Sequence, residues 1–179
     1  MHPAAPRPLP PAFPGTPMSL AERIRTRAVE LGFDHVGIAP AVPEPRADAF
    51  RAWLDHGYHG SMEWLARDRE RRIQPQRVLP GARSVIVVGQ SYFVADPDPA
   101  AWNDPSRGRI ARYAWGPDYH DKLTPPLREL AAFTRDETGA ETRYYVDTGP
   151  VMERSVAERA GLGFIGKNTL LIDPAQGSY

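Results

Sequence analysis

Asp147 is the residue in this sequence best placed for acid–base work. It stands where Tyr144-Tyr145-Val146, a run of strand character, leads towards a helix opened by Pro150. A helix N-terminus lowers a carboxyl pKa, whereas burial beside aromatic rings raises it. On the local residues alone a plain helix cap is the commoner role for an aspartate so placed. A second cluster, RIARYAWGPDYH from Arg109 to His120, gathers two arginines, three large aromatics and a histidine. Arginine forks fit phosphate and aromatic faces stack on heterocycles, so the cluster could take a flat ligand or a phosphate. It also reads as a strand with core aromatics and a solvated basic edge.

The stretch GLGFIGKN from Gly161 to Asn168 has G-x-G-x-x-G spacing. Its glycines follow a helix instead of joining a strand to one, which is the wrong context for a dinucleotide site. They serve either a close approach of backbone to a large ligand or a simple turn. Arg67 to Arg72 alternates charge as a solvated helix face does, and Arg72, Arg77 and Arg83 add positive potential suited to RNA phosphates. His35, His56 and His59 lack the HxxxH or HExxH spacing of a zinc enzyme, so no metal ligands are assigned.

The elements that must position these residues alternate. Ser19-Leu20-Ala21-Glu22 has the capping-box pattern, followed by Leu20, Ile24, Ala28 and Leu31 at helical spacing and a stop at Gly32. A strand is predicted over residues 33–39, a helix through Phe50, Trp53 and Leu54, and another from Ser61 through Arg72. SVIVVGQSY from Ser84 to Tyr92 is the strongest strand, and its consecutive apolar residues predict burial on both faces. Further strands are expected over 109–115, 143–146 and 169–172. Helices are expected from Pro125-Pro126 to Gly139 and from Pro150 to Ala160. The pattern predicts an α/β (α+β) domain, a mixed sheet packed with helices, over residues 19–179, after a proline-rich disordered tail over 1–18.

The 179 residues are 41% hydrophobic, enough for one domain with a real core. Twenty-two basic residues balance twenty-two acidic ones, so any nucleic-acid contact must come from a local field. With no cysteine, the chain itself can hold no disulfide, thiolate zinc site or cysteine-ligated iron–sulfur cluster. No apolar run reaches the roughly 20 residues that span a bilayer, so no membrane association is expected and the cytoplasm is the expected location.

Taken in order, GYHGSMEWLARDRERR (57–72), LPGARSVIVVGQSYF, RYAWGPDYH (112–120), VDTGPVMERSVAERAGLGFIGKNTLLI (146–172) and the final GSY resemble the N-terminal part of epoxyqueuosine reductases. The resemblance runs from Ser19 to Tyr179. It implies a cobalamin-dependent reduction of epoxyqueuosine to queuosine in tRNA, with Asp147 of the VDTG motif donating a proton as the epoxide oxygen leaves. Tyr145 and Val146 are expected to raise the Asp147 carboxyl by desolvation. The resemblance places Arg72, Ala111, Asp147, Lys167, Asn168 and Leu171 at the cobalamin, and Met152, Glu153 and Arg154 on the tRNA side. Arg112, Tyr119 and His120 shape the pocket. Relatives carry cysteine where this chain has Ala111, so no thiol acts there.

The family continues into a ferredoxin-like domain with cysteine-ligated iron–sulfur clusters, and this chain stops before it. The resemblance therefore implies a domain inactive alone, served by a separate iron–sulfur domain or electron donor. Two other readings stand beside it. One is a non-catalytic cobalamin-binding or carrier module; the other is a structural or interaction domain with no corrin affinity.

Overall fold

The computed structural model describes residues 17–95 and 104–178. The tail expected over 1–18 lies outside them except for Pro17 and Met18, as does Tyr179. The first helix, α1 (Leu20–Glu30), begins at the expected capping box: Ser19 Oγ accepts from Glu22 N at 3.3 Å, and the Glu22 carboxylate accepts from Ser19 N at 2.7 Å. Such a cap stabilises a helix by about 1 kcal/mol.

After α1 the chain runs through β1 (His35–Pro40), α2 (Ala47–Asp55), α3 (Glu63–Arg67), α4 (Arg69–Ile73) and α5 (Pro75–Val78) into β2 (Ser84–Gly89). Beyond residue 103 come α6 (Tyr119–Thr138), α7 (Glu153–Arg159), β3 (Phe164–Ile165), β4 (Leu171–Asp173) and β5 (Gly177–Ser178). The α/β class is as expected. Its strands are divided between two small antiparallel sheets, β1-β2 and β3-β4-β5, in place of one mixed sheet.

The central pair β1-β2 has a helix-covered face on each side. Val36 and Ile38 stand opposite Val88 and Ile86, and these four pack against the buried cluster of Ile24 and Ala28 of α1, Phe33 just after it and Leu130 of α6. On the other side α7 and the turn after it cross β1 at Gly37. The two-sided cover expected of β2 is present, but each of its apolar residues is only half-buried.

A Cβ at Gly37 would meet Leu162 Cδ1, the Ala160 carbonyl oxygen at 2.5 Å and Ala160 Cβ at 2.7 Å. Gly37→Ala is therefore expected to lower stability by about 1–3 kcal/mol, the usual cost of overpacking. A thermal melt checks this. Gly108→Ala is the control, since a Cβ there meets nothing within 4 Å.

Five expected elements differ. The helix predicted from Ser61 to Arg72 breaks at Asp68 (φ −111°, ψ 21°). The break lets α4 face α2, where Glu70 accepts from Arg51 Nε at 3.2 Å and Arg69 donates to Asp55 at 3.1 Å. The strand predicted over 109–115 is an irregular stretch ending in a 3-10 turn at Arg112–Ala114. That turn closes on itself: Ala114 N donates to Ala111 O at 2.9 Å, and Trp115 Nε1 donates to Ile110 O at 2.9 Å.

The strand predicted over 143–146 is absent. The segment lies along α6, with Arg128 Nε donating to the Tyr144 hydroxyl at 3.3 Å and Thr142 Oγ1 to Ala131 O at 3.2 Å. Pro125 and Pro126 sit inside α6 instead of opening it, because Asp118 caps the chain earlier by accepting from His120 N at 2.9 Å. The helix expected from Pro150 starts later, at Glu153. Among the described residues no helix is long and apolar enough to cross a membrane.

Candidate functional site around Asp147

The loop that carries Asp147 is held from both ends. Gly149 and Pro150 are buried, and the Tyr145 ring lies so close over Gly149 that a Cβ there would meet its Cγ at 2.5 Å. Gly149→Ala is expected to push that ring aside and displace the loop. A shift of Tyr145 resonances, with loss of thermal stability of about 1–3 kcal/mol, would report it.

Within the loop Asp147 adopts φ +54°, a left-handed conformation that aspartate tolerates better than most residues. The reason becomes visible in its partners. The carboxylate points at Tyr119, whose hydroxyl donates to Oδ2 at 3.0 Å, and its charge bears on Glu153, the first residue of α7. Asp147 is exposed, not enclosed by Tyr145 and Val146 as the sequence suggested. Glu153 carries a raised carboxyl.

Crowding strips water from the Glu153 carboxyl, and the Asp147 charge opposes its ionisation; Arg72 and Arg154 counteract this only in part. The result is a pKa pushed up to about 7. Glu153 nevertheless keeps an exposed residue surface. Water reaching its stem weakens these effects, but it does not change their direction.

A carboxyl with a raised folded-state pKa binds more protons folded than unfolded between its unfolded value and about 7, so it lowers stability as pH rises across that window. Glu153→Gln is thus expected to remove this loss. It should raise the melting temperature at pH 8 relative to pH 5, by less than about 1 kcal/mol for so solvated a group.

Two arginines flank the carboxyl pair. Arg72, on α4, lies with its guanidinium 5.1 Å from the centre of the Trp64 ring, and its Nε is buried with no hydrogen-bond partner. Arg154, on α7, donates through Nη1 to the Thr169 carbonyl at 2.7 Å. Thr169 is the other non-glycine residue in the left-handed region (φ +66°), and as a β-branched residue it is strained there. Arg154 thereby ties α7 to the turn between β3 and β4.

That turn holds Lys167 and Asn168. Both are exposed, and Asn168 Oδ1 accepts from Leu170 N at 3.3 Å. A Cβ on Gly163 would strike the Ile172 carbonyl, and one on Gly166 would meet Ile172 Cδ1 at 2.6 Å. Of the two readings of these glycines, the chain's own hairpin uses the close approach.

The aromatic cluster continues outward from Tyr119. Crowding, then the hydrogen bond to Asp147, pushes the Tyr119 phenol above its ordinary pKa and keeps it a proton-bearing donor. Its ring stacks on His120 at 4.2 Å and meets Tyr113 edge-on at 6.5 Å; Tyr113 meets Tyr92 in turn at 6.4 Å. His120 Nδ1 lies 2.8 Å from Asp118 Oδ1. Arg112 lies over the rings of Phe93 and Trp115, at 5.1 and 5.6 Å, and lines a cavity of about 290 Å³ with Ser91, Tyr92 and Gln176.

Of the residues read from the sequence, the structure brings Asp147, Tyr119, Glu153, Arg72 and Arg154 together. Ala111 is exposed at the head of the 3-10 turn, and Met152 is half-buried as the residue before α7. Leu171, expected at the cofactor, is buried at 6% exposure in β4. Sequence reasoning missed Trp64 as the platform for Arg72 and Thr169 as the anchor for Arg154. Neither had a signal, since both depend on contacts between distant segments. Among the described residues no group of three or more His, Asp or Glu could hold a metal ion.

Comparison with known proteins places this geometry. Residues 72–148, from Arg72 to just past Asp147, match the family model described as "Epoxyqueuosine reductase QueG, DUF1730". The chain is 48% identical over 162 residues to epoxyqueuosine reductase of Gloeobacter violaceus, covering 89% of this chain and 49% of that protein. It is 38% identical over 162 residues to that of Escherichia coli K12, covering 89% and 43%.

Among solved structures, an epoxyqueuosine reductase with an epoxyqueuosine-modified tRNA-Tyr stem loop superposes with a TM-score of 0.72 at 32% identity, over 89% of this chain and 43% of that one. One from Bacillus subtilis, with its catalytic loop swung out of the active site, gives 0.73 at 29% identity, over 89% and 43%. The chain is similar to epoxyqueuosine reductases over nearly nine-tenths of its own length. It spans about half the length of the curated relatives it matches.

Proposed function

We propose that this chain is the cobalamin- and substrate-binding domain, residues 19–179, of an enzyme that reduces epoxyqueuosine to queuosine in tRNA in the cytoplasm. The observation that carries this reading is the Asp147 carboxylate. It stands at φ +54° and accepts from the Tyr119 hydroxyl, within a chain whose matched relatives are reductases of that substrate.

Conversion of an epoxide to an alkene and water takes two electrons and two protons. This chain's part is the protons and the positioning. Asp147 presents an oxygen acid at the loop surface, and Tyr119 fixes its direction through Oδ2. Arg154, braced on Thr169, sets a fork suited to an RNA phosphate beside that acid. Met152 and Glu153 adjoin it on the same side.

The donor set fits cobalamin, whose rim carries amide groups. Arg72 offers an unpartnered, buried Nε, Lys167 and Asn168 are exposed polar ends on one turn, and the exposed backbone at Ala111 leaves room where a larger side chain would stand. Leu171 contributes only through backbone. When bound, cobalamin supplies the reducing cobalt centre. The residues do not fit an iron–sulfur cluster, because the sequence has no cysteine. The reductant is therefore supplied from outside these 179 residues, by an iron–sulfur domain or donor.

The test is a titration of the purified chain with cobalamin, followed by visible absorbance, with circular dichroism to confirm folding. A saturable shift to the base-off spectrum, weakened in Arg72→Ala, is the expected result. A folded chain that leaves the spectrum unchanged would overturn cobalamin binding by this domain.

A further inference from the structure

We propose that Trp64 is the positioning residue of Arg72, its indole face holding the guanidinium so that the N–H edge stays open for the cofactor. This rests on the reading of the domain as cobalamin-binding with Arg72 among its contacts. It goes beyond that reading by giving a part to a residue that acts only through another.

The pairing is a product of the break in the chain at Asp68. Trp64 lies on α3 and Arg72 on α4, eight residues further on. In an unbroken helix, eight residues advance about 12 Å along the axis and turn the second side chain about 80° from the first. At Asp68 the backbone leaves helical geometry (φ −111°, ψ 21°), and α4 starts afresh. The guanidinium carbon of Arg72 then lies 5.1 Å from the centre of the Trp64 ring. That is within the roughly 6 Å over which an aromatic face attracts a cation.

What the contact leaves open decides its use. A carboxylate grips arginine by its N–H edge, whereas an aromatic ring grips it by its flat face. The neighbours of Arg72 on α4 are held by the edge: Arg69 pairs with Asp55 at 3.1 Å and Arg71 with Asp68 at 3.5 Å. Arg72 differs. Among the described residues its side chain closes no salt bridge, and its buried Nε has no hydrogen-bond partner. Asp68 and Glu153 reach it only as longer-range charges. The ring therefore fixes the plane of this guanidinium without occupying its donors.

The surroundings suit the contact. Crowding partly strips the Arg72 guanidinium of water and lowers its pKa, with Asp68 and then Glu153 opposing. It stays charged, as an arginine does throughout the physiological range. A partly desolvated cation gains more from an aromatic face than a hydrated one. Trp64 in turn keeps half its surface in water, although tryptophan is on average highly buried. A guanidinium set in advance loses less side-chain freedom when a ligand arrives, which raises affinity without a new contact.

Two measurements test it. In the ligand-free chain, the Trp64 ring current should hold the Arg72 Nε–H proton resonance upfield, the signal being assigned by its loss in Arg72→Lys. Trp64→Leu, which keeps bulk but has no π face, should release that shift, and Trp64→Phe should retain part of it. A wild-type resonance at the ordinary arginine position, or one unmoved in Trp64→Leu, overturns the contact.

The second is the cobalamin titration by visible absorbance, with circular dichroism confirming the fold of each variant. Trp64→Leu should weaken binding about three- to thirtyfold, the range that cation–π contacts span, and Trp64→Phe should recover most of it. In a double-mutant cycle, Trp64→Leu should change little once Arg72→Ala is present, because it acts through that residue. Unchanged binding in Trp64→Leu, or two losses that simply add, overturns the positioning role and leaves cobalamin binding by the domain intact. A folded wild-type chain that leaves the cobalamin spectrum unchanged instead overturns the cofactor reading itself, and the part of Trp64 with it.

Discussion

Asp147→Asn, introduced into the complete reductase with its reductant present, is expected to lower turnover by about 10²–10⁴-fold, the usual contribution of a positioned general acid. Few substitutions isolate chemistry so cleanly. Asparagine tolerates the left-handed backbone conformation (φ +54°) that most residues resist, so the loop should keep its path. Its side-chain oxygen can still accept from the Tyr119 hydroxyl, which preserves the contact to α6. What is lost is the exchangeable acid proton. Cobalamin affinity and tRNA affinity should stay within a few-fold of wild type, because asparagine keeps the size and the Tyr119 contact of the side chain and the neighbouring binding groups are unchanged. Wild-type turnover in this variant would show that the epoxide oxygen takes its proton elsewhere.

The second large effect concerns stability. Glu44 is buried at 4% exposure, in the loop between β1 and α2, and its carboxylate is the hub that fixes α7. Ser155 Oγ donates to Oε1, Arg46 N donates to the same oxygen at 3.4 Å, and Arg159 Nη2 lies 3.7 Å from Oε2. Arg159 Nε and Nη2 have no hydrogen-bond partner, so Glu44 is the charge that offsets that guanidinium.

Glu44→Ala would leave a nearly buried cation unopposed and is expected to cost about 3–5 kcal/mol, a large share of a domain's total stability. Chemical denaturation measures it. Glu44→Gln, which keeps the hydrogen-bond acceptor for Ser155 but not the charge, should fall between the two. Equal stability of Ala and wild type would mean the Arg159 charge finds solvent. Because α7 carries Glu153 and Arg154, loss of this anchor should also loosen the site.

How far the sequence discloses this arrangement varies by element. Where a signal is local, the structure follows it: the Ser19 capping box, the Gly32 and Gly139 helix stops and the β2 apolar run all occur where the residues place them. Where the outcome depends on a distant partner, it does not. Residues 143–146 have strand composition but lie beside α6, which satisfies them through side chains and leaves no strand edge to join. Pro125 and Pro126 read as a helix start, yet a cap at Asp118 recruits an earlier turn.

The site shows the same division. Asp147 stood out through the VDTG motif and its resemblance to epoxyqueuosine reductases, since local residues alone also suit a helix cap. The role of Glu153 did not, because its ionisation depends on crowding and on a charge six positions away in the chain but adjacent in space.

The left-handed backbone at Asp147 and Thr169 bears on how the domain responds to ligands. Glycine would take either conformation without penalty, but it has no carboxyl to offer at 147. Each non-glycine residue held there raises the free energy of this loop conformation by about 1–3 kcal/mol. Strain of that size narrows the margin by which the conformation is favoured over an unstrained one. A ligand that contacts Asp147 or the Arg154–Thr169 tie only in this conformation would offset the strain, about 1.4 kcal/mol for each factor of ten in its preference.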